Sequence, residues 1–298
     1  MRRLLGLFVS LILLCSLCAA CCSANVLNKP LVGPELARLT DNDTVALVYS
    51  SKTSEDGTTF PFCTGVWVSQ DVILTAGHCA VGLAKMESAE QVILLLQDLL
   101  AGKDPGNDSI EPVKPIGLTA QFILRDEATD LGKEPTNTHD ATIFALYRHM
   151  DLALLRVKDG EKLHHGVAKL ASERPERGEQ LAFDGHVDKN YWTFRTGTVA
   201  AYREDMSSIL DGETKELEGP FMQVSAPVSF GDSGGGAFNE RGELVGILSF
   251  ISTGSPDTGF CVPLETIRSV LQTQKVIPMV LNLDPTAPDP KEYRLKKE

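Results

Sequence analysis

From Thr44 onward the apolar residues fall in short runs broken by turn formers. Runs at 45–49, 65–68 and 72–74 are rich in Val, Leu and Ile and are each followed by small or polar residues. Runs this short, closed this way, predict strands rather than helices. Further strands are predicted at 152–157, 180–183, 191–202, 221–224, 235–238 and 244–251. The apolar stretch 92–96 has no clear period and is read as another strand. Segments 101–115 and 125–140, rich in Gly, Pro, Asp and Asn, read as long surface loops. The one good helical spacing is Leu264, Ile267, Val270 and Leu271, directly after Pro263. The fold class this predicts is all-β and antiparallel with a C-terminal helix, which excludes a βαβ nucleotide fold.

The ends of the chain differ in texture. Residues 1–24 read as an export signal: Arg2 and Arg3 precede an apolar stretch, 4–14, too short to span a bilayer comfortably. Two cleavage readings stay open. Cys22-Ser23-Ala24 suits an ordinary signal peptidase and would leave Asn25 first. Cys18-Ala19-Ala20-Cys21 resembles a bacterial lipoprotein box, with Cys21 as the lipidated residue and the link to a membrane. Residues 25–43 read as an arm over the surface, 161–179 as a polar link between two halves, and 276–298 as a tail. The halves between them are 44–160 and 180–275.

Charge narrows the partners. The net charge is −12 with no basic cluster outside the leader, which excludes nucleic acid and anionic membrane surfaces as partners. Four of the seven cysteines lie in the leader, leaving Cys63, Cys79 and Cys261. An exported chain meets an oxidising compartment, which suits a Cys63–Cys79 bridge. These three cysteines have no Cys-x-x-Cys pairing that would support a metal, and no cofactor is implied.

Three stretches carry chemistry. Phe230-Gly231-Asp232-Ser233-Gly234-Gly235-Gly236 sets one serine among four glycines. Glycine reaches positive φ at little cost, so the N–H groups of Gly231 and Ser233 can face a common point beside the hydroxyl. Leu74-Thr75-Ala76-Gly77-His78-Cys79 places a histidine at the end of a buried strand. His149-Met150-Asp151-Leu152 places an acid immediately before one. A serine hydroxyl is a poor nucleophile until an imidazole accepts its proton, and the imidazole needs a carboxylate to fix its tautomer. Asp140 is a rival acid, with no buried strand following it so directly. Adjacent His164 and His165 point different ways and read as solvated.

In this order the three stretches resemble the signature segments of the chymotrypsin/trypsin-like serine proteases, a likeness running from about Thr44 to Gln272. The resemblance implies two antiparallel β-barrels with the site at their junction. It implies His78 as general base and acid, Asp151 as its orienter, Ser233 as nucleophile, and Gly231 and Ser233 amides as the oxyanion hole. It also implies the Cys63–Cys79 disulfide beside the histidine. The expected partners are polypeptide substrates, handled by a monomer. A binding module without activity, or an esterase, are the alternative functions; all three triad residues are present, which speaks against the first.

The chain departs from the family in places that matter for specificity and activation. Pro227 stands where trypsin has an acid, so Arg or Lys specificity is not expected. Ser249-Phe250-Ile251 resembles the substrate-pairing strand, with Ile251 where a glycine would open a deep slot and Gly259 on the opposite wall; Pro227 and Val228 are expected among the substrate-binding residues too. Small or medium aliphatic side chains are the expected preference. In zymogen members a new N-terminal ammonium pairs with the aspartate before the serine, here Asp232. Leu31-Val32-Gly33-Pro34-Glu35 only loosely resembles the inserting sequence, so either another protease processes the chain or Asp232 finds an internal partner. The ending Thr258-Gly259-Phe260-Cys261-Val262-Pro263 resembles that of the PDZ-bearing stress proteases, but the residues after Leu271 are too few for a PDZ domain.

Overall fold

In the computed structural model, residues 33–50, 59–83, 119–127, 137–147, 149–210, 213–252, 255 and 257–276 are described. The leader with Cys21, the 92–96 strand and most of the 97–140 loops lie outside these residues. Twelve strands close into two antiparallel six-stranded barrels. The first orders β1 (Thr44–Ser50), β2 (Thr59–Trp67), β3 (Val72–Ala76), β6 (Leu152–Val157), β5 (His139–Tyr147) and β4 (Thr119–Ile123) around its wall. The second orders β10 (Gly236–Phe238), β11 (Leu244–Ile251), β12 (Thr258–Pro263), β9 (Glu213–Ser225), β8 (Thr193–Leu210) and β7 (Gln180–Gly185).

Within each barrel, closure gives every strand a partner on both sides and lets it bury a face inside. Every residue of β3 is buried, as is every residue of β6 except Arg156. One apolar core fills the first barrel around Leu47, Trp67, Ile73, Phe122 and Leu155. A second, around Phe221, Phe238, Ile247, Val262 and Ile267, runs from the second barrel to Val66, Leu74 and Leu154 of the first. The barrels therefore share a packed interface on which a site can be held rigidly.

Among the described residues three α-helices flank them: α1 (Pro34–Asp43), α2 (Gly77–Leu83) and α3 (Leu264–Thr273). The predicted pattern of α3 is the observed one, with Leu264, Ile267, Val270 and Leu271 buried. Helix α1 replaces much of the expected arm. Its buried residues are Leu36, Thr40 and Asp43, so a helical face exists but two of its three positions are polar. Thr40 Oγ1 donates to Ala37 O at 3.1 Å and lies 3.3 Å from Asp184 Oδ2 on β7.

Other boundaries also moved. The hairpin of β8 and β9 runs well past the expected strands, to the pair Leu210↔Glu213. The end of the expected 125–140 loop belongs to β5, where Ala141 and Ile143 are buried between more exposed neighbours. Segment 161–179 is tied to both barrels: Ala168 N donates to Trp67 O at 2.8 Å and Leu244 N to Lys169 O at 2.7 Å.

Candidate active site

Strand register brings the histidine and the acid together. Antiparallel pairing of β3 and β6 sets Ala76 opposite Leu152, so the residues just beyond, His78 on α2 and Asp151 in the turn before β6, meet at one end of the barrel. Asp151 takes a positive φ of 50°, uncommon for a residue with a side chain. A Cβ at Gly77 would lie 3.2 Å from Asp151 main-chain and carboxylate atoms, so glycine allows the close approach.

The carboxylate of Asp151 is 2% exposed and accepts from three donors. His78 Nδ1 lies 2.9 Å from Oδ2, the His78 main-chain N–H is 2.8 Å from Oδ1, and the Ser249 hydroxyl donates to Oδ2. An ionised carboxylate only accepts. His78 therefore carries its proton on Nδ1.

Ser233 comes from the second barrel. Its Oγ is 3.4 Å from the carbonyl of Ser249, the residue whose hydroxyl holds Asp151. Its own carbonyl accepts from Thr64 N at 2.8 Å, a bond that ties the serine loop to β2. Gly234 has φ of 84°, and a Cβ there would come within 2.1 Å of Thr64 O and of Thr75 Oγ1. Cys63 and Cys79 are bonded to one another, with Cα atoms 6.0 Å apart, and Cys79 Sγ lies 3.6 Å from His78 Nε2. Together with His78 these sulfurs form a cluster of metal-ligand atom types, but bonded sulfurs are not thiolate donors.

Gly231 has φ of 97°, and a Cβ there would fall 2.0 Å from His186 O. Among the described residues no main-chain carbonyl engages the N–H of Gly231 or of Ser233. Between these two amides, Asp232 turns inward and is met by Arg195 on β8, whose two terminal nitrogens donate to its two oxygens. The pair is dry, with side chains 11% and 1% exposed. Burial pushes the Asp232 carboxyl upward, while Arg195 and the Ser229 N–H, 2.8 Å away, pull it down. A Cβ at Gly185 would lie 2.4 Å from Asp232 Oδ1, so this position too is limited to glycine.

The expected pocket residues line up along neighbouring strands. Ile251 pairs with Gly259, and Phe250 with Phe260, their rings stacked with centroids 4.8 Å apart. Any side chain at Gly259 would meet Val228 Cγ2 at 2.9 Å and Leu248 Cδ1 at 3.1 Å, so the wall there is already filled by Val228. Pro227 turns its carbonyl to Arg195 Nη1 at 3.0 Å. Ser249 is wholly buried, its side chain serving Asp151 rather than facing a pocket. The rivals lie elsewhere. Asp140 sits on β5 opposite Gln121, His164 is exposed, and His165 stacks on Trp67 at 3.7 Å.

Sequence reasoning left Arg195 and the Ser249 hydroxyl without these roles. Arg195 lies in no motif, and its charge alone on a strand gives no sign of its partner. Ser249 stands in the segment read as the substrate-pairing strand, which says nothing of a hydroxyl turned to Asp151.

The family model described as "Trypsin-like peptidase domain" matches residues 63–247. A curated relative, a probable periplasmic serine endoprotease DegP-like of Rhizobium meliloti, is 29% identical over 161 residues, covering 52% of this chain and 28% of its own length. Protease Do-like 1, chloroplastic, of Arabidopsis thaliana is 25% identical over 137 residues, covering 45% of this chain and 30% of its own. The chain thus spans less than a third of the length of these curated relatives. Among solved structures, the active form of the Rv3671c protease of M. tuberculosis aligns at TM-score 0.55 and 15% identity, covering 81% of this chain and 87% of that one. The serine endoprotease from Yersinia pestis aligns at TM-score 0.53 and 18% identity, covering 82% and 67%. At these identities the two structures speak for the fold alone.

Proposed function

Because the chain belongs to the trypsin-like peptidase domain family, we propose that it is an exported serine endopeptidase that cleaves peptide bonds through an acyl-enzyme. The observation that carries this reading is the Asp151 carboxylate 2.9 Å from His78 Nδ1, bridged by Ser249 to the Ser233 hydroxyl. His78 Nε2 takes the Ser233 proton as Oγ bonds to the scissile carbonyl carbon. The carbonyl oxygen becomes an oxyanion facing the N–H groups of Gly231 and Ser233. Collapse breaks the C–N bond, and the proton on Nε2 leaves with the amine. Water then repeats the sequence on the ester and frees the acid.

Three finer assignments belong to this reading. Ile251, Val228 and Gly259 select small or medium aliphatic side chains at the cleaved position, because a β-branched residue and a filled wall leave little depth. Arg195 supplies the cation that Asp232 needs, so no new N-terminus is required for activity. The leader pattern at 1–24, together with curated relatives named as periplasmic, supports export, with Cys21 as the anchoring residue if the lipoprotein box is read.

The test is labelling of the purified chain by a fluorophosphonate probe. Label on the parent protein and none on Ser233→Ala is the expected result. Equal labelling of both would overturn the reading. Turnover of peptide substrates well above that of matched simple esters separates a protease from an esterase.

A further inference from the structure

The mechanism above makes no use of two wholly buried polar side chains, Thr64 on β2 and His186 at the end of β7. They form a chain that ends on the oxyanion loop. His186 Nδ1 lies 2.8 Å from Thr64 Oγ1, and Thr64 Oγ1 lies 2.7 Å from the carbonyl oxygen of Gly231. The protons in this chain can be placed by elimination. A hydroxyl has one proton and a carbonyl has none, so Thr64 donates to Gly231 O and must accept from His186. The proton therefore sits on His186 Nδ1, and Nε2 holds a lone pair.

The surroundings agree with a neutral ring. Nε2 is buried and, among the described residues, has no hydrogen-bond partner, so a second proton there would be an uncompensated buried charge. Burial, aided by Arg195 and Arg125, pushes the imidazole down to about 3. Trp192 and Tyr191 pack against the ring edge to face, with centroids 4.7 and 5.9 Å away.

The segment that follows His186 holds the adjoining peptide. Asp188 N donates to Phe230 O at 2.8 Å. In a trans peptide the C=O and the next N–H point in opposite directions, so fixing Phe230 O directs the N–H of Gly231 away from Asp188. The carbonyl of Gly231 is fixed in turn by Thr64, which leaves Asp232 N facing Ser229 O at 3.3 Å. Both peptides around Gly231 are thus pinned by groups from outside the loop, and the His186 carbonyl packs against its Cα from beneath.

We propose that Thr64 and His186 are positioning residues for the oxyanion hole: a neutral imidazole orients the Thr64 hydroxyl, which holds the Gly231 carbonyl, so that with Phe230 O held by Asp188 N the peptides on both sides of Gly231 are fixed and its N–H stays aimed at the reacting oxygen. The inference rests on the proposed catalytic assignment of Ser233 and Gly231. It adds that the peptide after the donor is held from the first barrel, by a residue outside the serine motif. Loss of the chain should slow the chemical step and leave ground-state binding almost untouched, because an oxyanion donor acts chiefly in the transition state.

The experiment uses the full chain and a chromogenic peptide substrate cleaved after valine. Thr64→Val keeps the shape and removes the hydroxyl; Thr64→Ser restores it. Since outright loss of an oxyanion donor costs about 100- to 1,000-fold in kcat, misdirecting one should cost about 10- to 100-fold, with KM changed by less than about threefold. Thr64→Ser should recover to within about threefold of the parent, and His186→Phe should match Thr64→Val. Because they act as one unit, the double variant should be no slower than the slower single one. A Thr64→Val enzyme with full kcat, a Thr64→Ser enzyme as slow as Thr64→Val, or additive losses would each overturn the proposal.

A measurement on the unmutated protein guards against variants that do not fold. Nitrogen-15 spectra of the histidine side chains should show His186 as the neutral Nδ1–H tautomer from pH 5 to 8. The Nε2–H tautomer, or a ring that titrates in that interval, would refute the proton placement. Ser233→Ala run in parallel separates the two readings. Activity surviving that change sinks the catalytic assignment itself, whereas a dead Ser233→Ala beside a fully active Thr64→Val sinks only the positioning role.

Discussion

Arg195 and Asp232 meet edge to edge, two guanidinium N–H groups on two carboxylate oxygens, at the back of the loop that carries Ser233. The residues are 37 apart in sequence and both nearly dry. A bidentate pair fixes direction as well as distance, so Asp232 is held turned inward and the amides on either side of it are held outward. Replacing Arg195 by Met strands a buried carboxylate, which typically costs about 3–5 kcal/mol. Arg195→Met should therefore unfold at clearly lower urea concentration and lose peptidase activity, while Arg195→Lys, with one ammonium in place of a fork, should fall between. Arg195→Met retaining the parent's urea midpoint and turnover would remove the pair from the activation argument. The same relationship predicts that protein beginning at Asn25 and protein beginning at Pro34 have equal specific activity, checked by N-terminal sequencing alongside turnover.

Ser249 joins Asp151 to Ser233. Its hydroxyl donates to Asp151 Oδ2 and its carbonyl lies 3.4 Å from Ser233 Oγ. A hydrogen bond to a charged group contributes about 1.5–3 kcal/mol, and each 1.36 kcal/mol off the barrier is about tenfold in rate. Ser249→Ala should lower kcat about 10- to 100-fold, with the fluorophosphonate labelling rate falling in parallel and KM little changed. A loss confined to KM would assign Ser249 to substrate binding instead.

The wall built by Ile251, Val228 and Gly259 predicts a specificity that can be shifted. Gly259 has no room for a side chain, so the adjustable residue is Ile251, which pairs with it across the strands and is only half-buried. Ile251→Gly should raise kcat/KM for Phe relative to Val at the cleaved position. Since one methylene in a hydrophobic pocket discriminates by about 10- to 200-fold, the change should exceed tenfold in a peptide-library profile. Dominant cleavage after Arg or Lys in the parent would refute the pocket assignment altogether.

What could be read without coordinates follows from how local each signal is. The buried runs that became β3 and β6 are continuous in sequence, as is the Leu264, Ile267, Val270, Leu271 stripe of α3. His78, Asp151 and Ser233 stand in short motifs whose residue types the chemistry demands. Helix α1 was hidden because its inner face offers Thr40 and Asp43 where periodicity looks for apolar residues. Arg195, Thr64 and His186 were hidden for another reason. Each acts through a partner dozens of residues away, and a lone polar residue on a strand carries no sign of which neighbour the barrel will bring to it.

Asp43 ends α1 with its side chain 3% exposed, so close to Gly166 that a Cβ there would fall 2.1 Å from its Oδ1. Burial pushes this carboxyl from 3.8 to about 7. The folded state therefore holds the proton more tightly than the unfolded chain does. Its contribution to stability is complete below about pH 3.8 and is lost as pH rises through about 7. At 1.36 kcal/mol per unit, the full loss is about 4 kcal/mol. Asp43→Asn keeps the shape and never ionises. Its urea-unfolding free energy should exceed the parent's at pH 8, and the gap should narrow through pH 6 and close near pH 4. A gap of constant size across that interval would mean that Asp43 ionises in the folded protein as freely as in the unfolded one, and that the end of α1 is more open to water than its packing indicates.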